Sequence, residues 1–140
     1  MYFCLKSVQL FDTSYYLRRM IRNILLVGLG GAAGAMLRYG ITLVFTFMHW
    51  ATDIGTLLTN VIGSFVMGML VSAFEQSPML LFATVGLCGG FTTFSTFSMQ
   101  SVTLLQQGRY GAASLYIFGT MLLCVGCAAL GCIATRKLGI

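Results

Sequence analysis

Five hydroxyl side chains and three phenylalanines alternate inside a strongly apolar part of the chain, in the segment GLCGGFTTFSTFSMQ (86–100). The pair Gly89-Gly90 directly precedes them. The hydroxyls belong to Thr92, Thr93, Ser95, Thr96 and Ser98, and the rings to Phe91, Phe94 and Phe97. Each glycine lowers helix stability by about 1 kcal/mol relative to alanine, and hydroxyls offer replacement partners to the backbone groups that an interrupted helix frees. The segment therefore predicts a helix that is broken near its middle.

The same segment has groups that could contact an ion. Broken helices inside membranes direct free carbonyls toward cations and the N-termini of half-helices toward anions. The edge of an aromatic ring has a partial positive charge, so a ring turned edge-on can face a small anion without holding it tightly. Two simpler interpretations stay open, because hydroxyls can also back-bond to carbonyls four residues earlier and the rings can simply fill space between helices.

The composition indicates an integral membrane protein. The 140 residues are 58% hydrophobic and only 8% charged, whereas soluble domains have about a quarter charged residues. A bilayer-spanning helix needs roughly 20 mostly apolar residues, and four such segments can be drawn at about 23–46, 55–74, 79–105 and 110–135. Their length argues against a membrane β-barrel, whose strands alternate over about ten residues. We therefore predict an all-α membrane protein with four transmembrane helices in one domain.

Residues 1–19 differ from the rest of the chain. The stretch MYFCLKSVQLFDTSYYLRR mixes charges, hydroxyls and aromatic rings, and it lacks the basic start and apolar stretch of a signal peptide. It is either a short interfacial segment, because Tyr and Arg suit the headgroup zone, or an extension ahead of a natural start at Met20. We expect the second, with residues 20–140 forming the four-helix domain.

Positive charges are unequally divided between the two ends of the predicted helices. Four spans place both termini and the second connection on one side of the membrane. Arg109 is the basic residue of the opposite side, and the terminal side has Lys6, Arg18, Arg19, Arg22, Arg136 and Lys137. The positive-inside rule then predicts cytoplasmic termini. Without residues 1–19 the difference falls to three charges against one, a bias weak enough to be compatible with insertion in both orientations.

Hydrogen-bond donors, rather than carboxylates, occupy the predicted spans. Arg38 either snorkels toward the far end of the first span or forms an electropositive vestibule that attracts an anion. Asn60, in the first third of the second span, either bonds a neighbouring helix or serves a ligand. The carboxylates, which all fall outside the spans, are Asp12, Asp53 and Glu75. This lining favours an anion and argues against a proton-coupled exporter of cations, which needs an intramembrane carboxylate.

The glycine-rich stretch GLGGAAGAMLRYG (28–40) superficially mimics a dinucleotide-binding fingerprint. No polar crossover helix follows, and the glycines continue into an apolar span, so the structural context of that fingerprint is missing. We interpret Gly30 and Gly34 instead as a small-residue face that lets two membrane helices approach closely.

The remaining reactive side chains do not predict catalysis. Cys124 and Cys127 form a C-x-x-C pattern deep in an apolar helix, where small buried thiols are expected rather than redox chemistry. The five cysteines have no metal-ligand spacing. The single histidine, His49, lies in a connection without a nucleophile–base arrangement. We therefore expect no enzymatic activity.

Together these motifs resemble the Fluc (CrcB) family of small fluoride channels, from the first span to the last and without residues 1–19. The matching stretches are GGAAGAMLRY, GTLLTN followed by GSFVMG, and GLCGGFTTFSTFS. The resemblance implies a passive, fluoride-selective channel in the bacterial inner (plasma) membrane. Such a channel exports cytoplasmic fluoride down its electrochemical gradient and protects the cell from fluoride toxicity.

The resemblance also implies a dual-topology homodimer, in which two copies insert antiparallel in the bilayer and enclose two pores. The expected partners are fluoride, a second copy and lipid, and not nucleic acid. Arg38 would stand in the vestibule, and backbone carbonyls of Gly89 and Thr92 from both subunits would hold a structural Na⁺ at the dimer interface. The implied pore residues are Asn60, Phe94, Ser95, Thr96, Phe97, Tyr116 and Thr120.

Two positions depart from the family pattern. Gln100 stands where the family usually has Glu, and Cys124 stands where serine is common. A thiol is a weak hydrogen-bond donor, so the polar track on the fourth span is altered at its inner end. The alternatives to a channel are a small multidrug-type exporter, which lacks its carboxylate here, and a non-transporting membrane scaffold, which leaves the hydroxyl cluster unexplained.

Overall fold

A computed structural model describes the backbone of residues 2–74 and 77–138 and the side chains of residues 13–74 and 77–138. Regular structure in these ranges is helical throughout. The side chains of Lys6 and Asp12 and the whole of Glu75, which entered the charge arguments, lie outside the described residues. The elements are α1 (Tyr2–Phe47), α2 (Thr52–Ala73), α3 (Pro78–Leu81), a π-helical segment (Phe82–Cys88), α4 (Gly89–Phe91), α5 (Phe94–Gln106) and α6 (Tyr110–Leu138).

Within these described ranges, four helical stretches are long and apolar enough to cross a membrane, as the sequence predicts. They are Thr13–Phe47, Thr52–Ala73, Pro78–Gln106 and Tyr110–Leu138. The third combines α3, the π-helical segment, α4 and α5. The connections between the stretches fall at the breaks read from the sequence.

The boundary predicted at residue 20 lies inside a helix. Helix α1 continues without interruption from Tyr2 to Phe47, so no helix end separates residues 1–19 from the four-helix domain. That division stays a prediction from the sequence.

Backbone-to-backbone packing holds α1 against the π-helical segment and α4. A Cβ added to Gly34 would overlap the Leu87 carbonyl oxygen, and one added to Gly30 would overlap the Phe82 carbonyl oxygen. Side chains at these positions would separate the helices, which is the reason small residues are favoured between membrane helices. The small-residue face predicted at Gly30 and Gly34 is therefore confirmed.

Helix α2 packs chiefly along α6, and glycines again make the closest contacts. A Cβ on Gly68 would meet the Ala128 carbonyl oxygen, and one on Gly131 would meet the Phe65 carbonyl oxygen. The Thr135 hydroxyl lies 3.3 Å from the Met69 carbonyl oxygen across the same interface. These contacts fix the register of α2 against α6, which brings Asn60 and Thr120 to one region.

The helical stretch Pro78–Gln106 is interrupted at Thr92 and Thr93. Gly89 has helical backbone angles (φ −64°, ψ −37°), so the backbone leaves the helix after the glycine pair. Thr92 (φ −77°, ψ 155°) and Thr93 (φ −147°, ψ 109°) are extended. Gly90 serves close packing, because a Cβ there would overlap the Gly31 carbonyl oxygen of α1, whereas a Cβ on Gly89 would meet only the Thr84 carbonyl oxygen at 3.8 Å.

Candidate functional site

The extended residue Thr93 is held from both sides by the amide of Asn60 on α2. The Thr93 N–H donates to Asn60 Oδ1 at 2.8 Å, and Asn60 Nδ2 donates to the Thr93 carbonyl oxygen at 3.2 Å. Only one orientation of the amide satisfies both bonds, so the assignment of its oxygen and nitrogen is determined by the contact. Asn60 thus supplies the hydrogen-bond partners that the backbone of a continuous helix would give to the Thr93 N–H and carbonyl groups. The second N–H of the Asn60 amide takes no part in these two bonds.

Hydroxyls around Thr93 start α5. Thr93 Oγ1 accepts a hydrogen bond from the Thr96 N–H at 3.2 Å, as an N-cap residue does. Its oxygen also lies 3.0 Å from Thr96 Oγ1 and 3.2 Å from Ser95 Oγ. Ser98 back-bonds to the Phe94 carbonyl oxygen at 2.8 Å. Several of the hydroxyl groups in this segment therefore provide hydrogen bonds at the point where the helix is interrupted.

A groove with a volume of about 200 Å³ opens beside this interruption, between α2, the start of α5, and α6. It brings together four of the predicted pore residues, and it adds the predicted Na⁺ ligand residue Thr92. Ser95, Thr96 and Tyr116, also predicted for the pore, are not part of its lining. The lining residues are Asn60, Ser64, Thr92, Phe94, Phe97, Thr120, Met121 and Cys124.

Three aromatic rings follow one another along the groove and past its end. The ring centroids of Phe94 and Phe97 are 5.6 Å apart, and those of Phe97 and Tyr116 are 5.4 Å apart. Phe97 is 6% exposed, whereas Phe94 is 74% exposed. The Tyr116 hydroxyl donates to Gln100 Oε1 at 2.8 Å. Tyr116 does not line the groove itself, but its ring packs against Phe97, which does. Gln100, one of the two positions that depart from the family pattern, accepts a hydrogen bond from the Tyr116 hydroxyl.

Thr120 has the most telling polar group of the groove. It is 6% exposed, and its Oγ1 has no hydrogen-bond partner among the described residues. An unpaired buried hydroxyl costs about 1–3 kcal/mol, so buried polar groups in folded proteins are nearly always hydrogen-bonded, to protein or to a small polar species. Thr120 therefore marks a point in the groove where a small polar species fits.

Arg38 is not part of the groove lining and contacts the backbone of α4. Its Nε donates to the Gly90 carbonyl oxygen at 3.2 Å, next to the interruption at Thr92 and Thr93. A cation is favoured at the C-terminal end of a helix because of the helix dipole. The arginine therefore binds the end of α4 through one N–H and has further guanidinium N–H groups available.

The interruption also changes the hydrogen bonding of the Gly89 carbonyl. In a continuous helix the N–H of residue 93 would donate to this oxygen. Here the Thr93 N–H donates to Asn60 Oδ1 instead. The oxygen of Gly89 has lost its helical donor, which leaves a hard oxygen ligand of the type that alkali and alkaline-earth cations bind.

Sequence reasoning missed two lining residues, Ser64 and Met121. Ser64 lies four residues after Asn60 and so on the same face of α2, which was a usable signal. Met121 adjoins Thr120 but has no spacing that distinguishes it from the other apolar residues of α6.

Comparison with known proteins assigns these features to a family. The model of the family described as "CrcB-like protein, Camphor Resistance (CrcB)" matches residues 25–132. The chain belongs to this family. The matched region starts inside α1 and ends within α6, so it contains every residue of the groove. The family predicted from the motifs is confirmed.

Relatives in the CrcB family include proteins named fluoride-specific ion channel FluC. One from Campylobacter jejuni is 44% identical over 117 residues, which cover 80% of this chain and 96% of the relative. One from Pseudomonas putida is 39% identical over 113 residues, covering 74% of this chain and 89% of the relative. One from Escherichia coli is 40% identical over 108 residues, covering 74% and 85%. With its four apolar helices, the chain is a multi-pass membrane protein.

Proposed function

We propose that the chain is a passive channel, and not an enzyme, that conducts fluoride selectively out of the cytoplasm and so limits fluoride toxicity. The proposal follows from the relatives, which are named fluoride-specific ion channels. The observation that carries it in this chain is the buried, unpaired Thr120 hydroxyl in a groove lined by Asn60 and two phenylalanines.

The lining suits an anion that must leave as readily as it enters. The Thr120 hydroxyl and the second Asn60 N–H are neutral donors. They bind an anion more weakly than the positively charged side chain of an arginine or lysine would. Phe94 and Phe97 offer ring edges with partial positive charge and no hydrogen-bond donor. Conduction needs sites that are favourable enough to enter and weak enough to leave, and this combination meets both needs.

We place Arg38 in the vestibule, where its charge raises the local concentration of anions. Its bond to the Gly90 carbonyl holds the guanidinium close to the interruption at Thr92 and Thr93. Irregular backbone at the middle of a membrane needs protein partners for its polar groups. The bond from Arg38 provides such a partner beside the interruption, which is compatible with a position at that depth.

The proposed assembly is an antiparallel homodimer in the bacterial inner membrane, with two pores. Phe94 supports it, because a ring that is 74% exposed in one chain can complete a pore lining only against another surface. Ser95, also exposed beside it, joins the proposed pore on the same argument. Thr96, which is bonded to Thr93, and Tyr116, whose ring packs against Phe97, join it through these contacts. Antiparallel pairing supplies the inverted symmetry that transport proteins with two-sided access use.

A structural Na⁺ at the dimer interface is part of the proposal. The carbonyl oxygens of Gly89 and Thr92 from both subunits would hold it, and the freed Gly89 oxygen fits a hard cation. Bound Na⁺ would offset carbonyl dipoles that converge at the centre of the dimer. Purification without Na⁺ should therefore weaken the dimer or lower the flux, whereas a Na⁺ gradient should not drive fluoride. Fluoride accumulation driven by Na⁺ would contradict a purely structural ion.

The two alternatives predict different behaviour. A small multidrug-type exporter would couple cationic substrates to protons, and a membrane scaffold would move no ion. The deciding experiment measures efflux of fluoride and of chloride from liposomes that contain the purified chain, with protein-free liposomes as the control. We expect fast fluoride efflux and chloride efflux at the level of the control. Equal fluxes of the two ions, or no flux of either, would overturn the proposal.

A further inference from the structure

Two sulfur atoms line the groove beside the unpaired hydroxyl. Met121 and Cys124 both belong to its lining, and they are separated by three positions on α6, so they lie on one helix face as neighbours. Ser64 of α2 belongs to the same lining. The other cysteines with described side chains, Cys88, Cys127 and Cys132, are not part of the lining.

A thiol and a thioether on one face have a defined ligand preference. Soft thiolate and thioether ligands select soft cations such as Cu(I), whereas hard cations prefer oxygen. Thr120 in the same groove is only 6% exposed, so it is more than nine-tenths buried, and its hydroxyl is unpaired among the described residues. This hydroxyl independently indicates that a small species enters to this depth. The groove therefore combines access with two soft ligands.

We propose that Cys124 and Met121 form a site for a soft monovalent cation, Ag⁺ or Cu⁺, and that its occupation blocks the groove. The inhibition, though not the binding, rests on the proposed function of the groove as the pore. On binding, the Cys124 S–H bond breaks, its proton passes to water, and a sulfur–metal bond forms without any change of oxidation state. The resulting thiolate–metal pair is neutral overall, and it blocks by filling the space beside Thr120.

The test adds AgNO₃ to chloride-free liposomes that contain the full chain and measures fluoride efflux. Each variant is compared with its own flux before Ag⁺. We expect the natural chain to lose most of its flux, Cys124→Ser to be insensitive, and Met121→Leu to need a several-fold higher Ag⁺ concentration. Cys127→Ser, one turn further along α6 and outside the groove, is the matched control and should be blocked like the natural chain.

A second measurement separates the site from the pore assignment. A variant that keeps only Cys124, with Cys4, Cys88, Cys127 and Cys132 replaced by serine, should retain one Ag⁺ per chain by metal analysis, and the same variant with Cys124→Ser should retain none. If Cys124 binds Ag⁺ but the fluoride flux does not fall, the metal site is supported and the assignment of the groove as the pore is wrong. Equal block of Cys124→Ser and the natural chain, or equal sensitivity of Met121→Leu, would overturn the two-sulfur site.

Discussion

At the scale of single residues, Asn60 does more than its position in an apolar helix suggests. An asparagine in a membrane span can bond a neighbouring helix or serve a ligand, and the geometry gives it both opportunities. One N–H and the carbonyl oxygen bind Thr93, and the side chain also lines the groove. Asn60 therefore links the interrupted backbone to the proposed pore.

Asn60→Asp should abolish fluoride flux while the chain still assembles. A carboxylate can accept from the Thr93 N–H, but it has no N–H for the Thr93 carbonyl or for an anion, and its charge repels fluoride. The lost donor costs about 1–3 kcal/mol, which weakens the fold without preventing it. Liposome efflux measures the flux, and size-exclusion chromatography in detergent measures assembly. Near-normal flux would reassign Asn60 to helix packing alone.

Phe94→Ile and Phe97→Ile should each lower fluoride flux strongly. Isoleucine keeps much of the bulk but removes the positive ring edge. Phe97 is buried and Phe94 is exposed in one chain. Only Phe97→Ile should therefore also reduce the stability of the isolated fold. Phe118→Ile, on an exposed α6 ring outside the groove, is the matched control and should conduct normally. If both variants dissociate the assembly and flux per intact assembly is unchanged, the rings are packing residues.

At the scale of helices, α1 and the third apolar stretch form one unit through glycine. Gly30 and Gly34 on α1 face the backbone of the π-helical segment and of α4. Irregular helices of the π type often occur at functional sites. The close contact fixes the segment that precedes Thr92 and Thr93, so the position of the interruption depends on α1.

Gly34→Ala should destabilise the protein, whereas Gly28→Ala should not. A Cβ at residue 34 would overlap the Leu87 carbonyl oxygen, and one at residue 28 meets nothing within 4 Å. Overpacking of this kind costs typically about 1–3 kcal/mol, so the first variant should unfold at a lower temperature in detergent, with lower flux. Equal thermal stability of the two variants would contradict the close approach of α1.

The sequence predicted the four helices, but not the contacts that hold the interruption at Thr92 and Thr93, for a physical reason. Apolar runs of bilayer length and short polar connections are local signals, so four spans could be drawn from them. The glycines before Thr92 lower helix propensity, yet Gly89 stays helical and the next residue, Gly90, packs against Gly31 of α1; tertiary context often overrides propensity in this way. The bond between Asn60 and Thr93 joins residues 33 positions apart, and no local pattern encodes it.

At the scale of the whole molecule, many large apolar side chains of the described helices are exposed in one chain. Even in the best-buried span, Thr52–Ala73, only 33% of an apolar 18-residue window is buried inside one chain, and in the first and last spans the share is 11%. On α6, Leu115, Leu122 and Val125 are all more than two-thirds exposed, at 77%, 75% and 71%. Such surfaces require lipid or a second copy, because a helix that is apolar all round is stable only when it is buried or in a membrane.

Charge at the two ends of the helices governs how the chain inserts in the membrane. Among the described side chains the terminal end has Arg18, Arg19, Arg22, Arg136 and Lys137, and the other end has Arg109. Two of these five charges lie in residues 13–19, so the bias depends on the N-terminal segment. A three-to-one excess is small for the positive-inside rule, and an antiparallel dimer needs both orientations in comparable amounts.

Removal of residues 2–19 should therefore leave fluoride flux intact and both orientations populated. The readout is a single cysteine introduced by Gln107→Cys in the exposed α5–α6 connection, in a background without native cysteines. A membrane-impermeant maleimide should label part of the protein from outside sealed vesicles and the rest only after they are opened. Leu122→Cys, on the apolar exterior of α6, should stay unlabelled under both conditions. Labelling of Gln107→Cys from one side only, in protein that still conducts fluoride, would show a single orientation and exclude the antiparallel dimer.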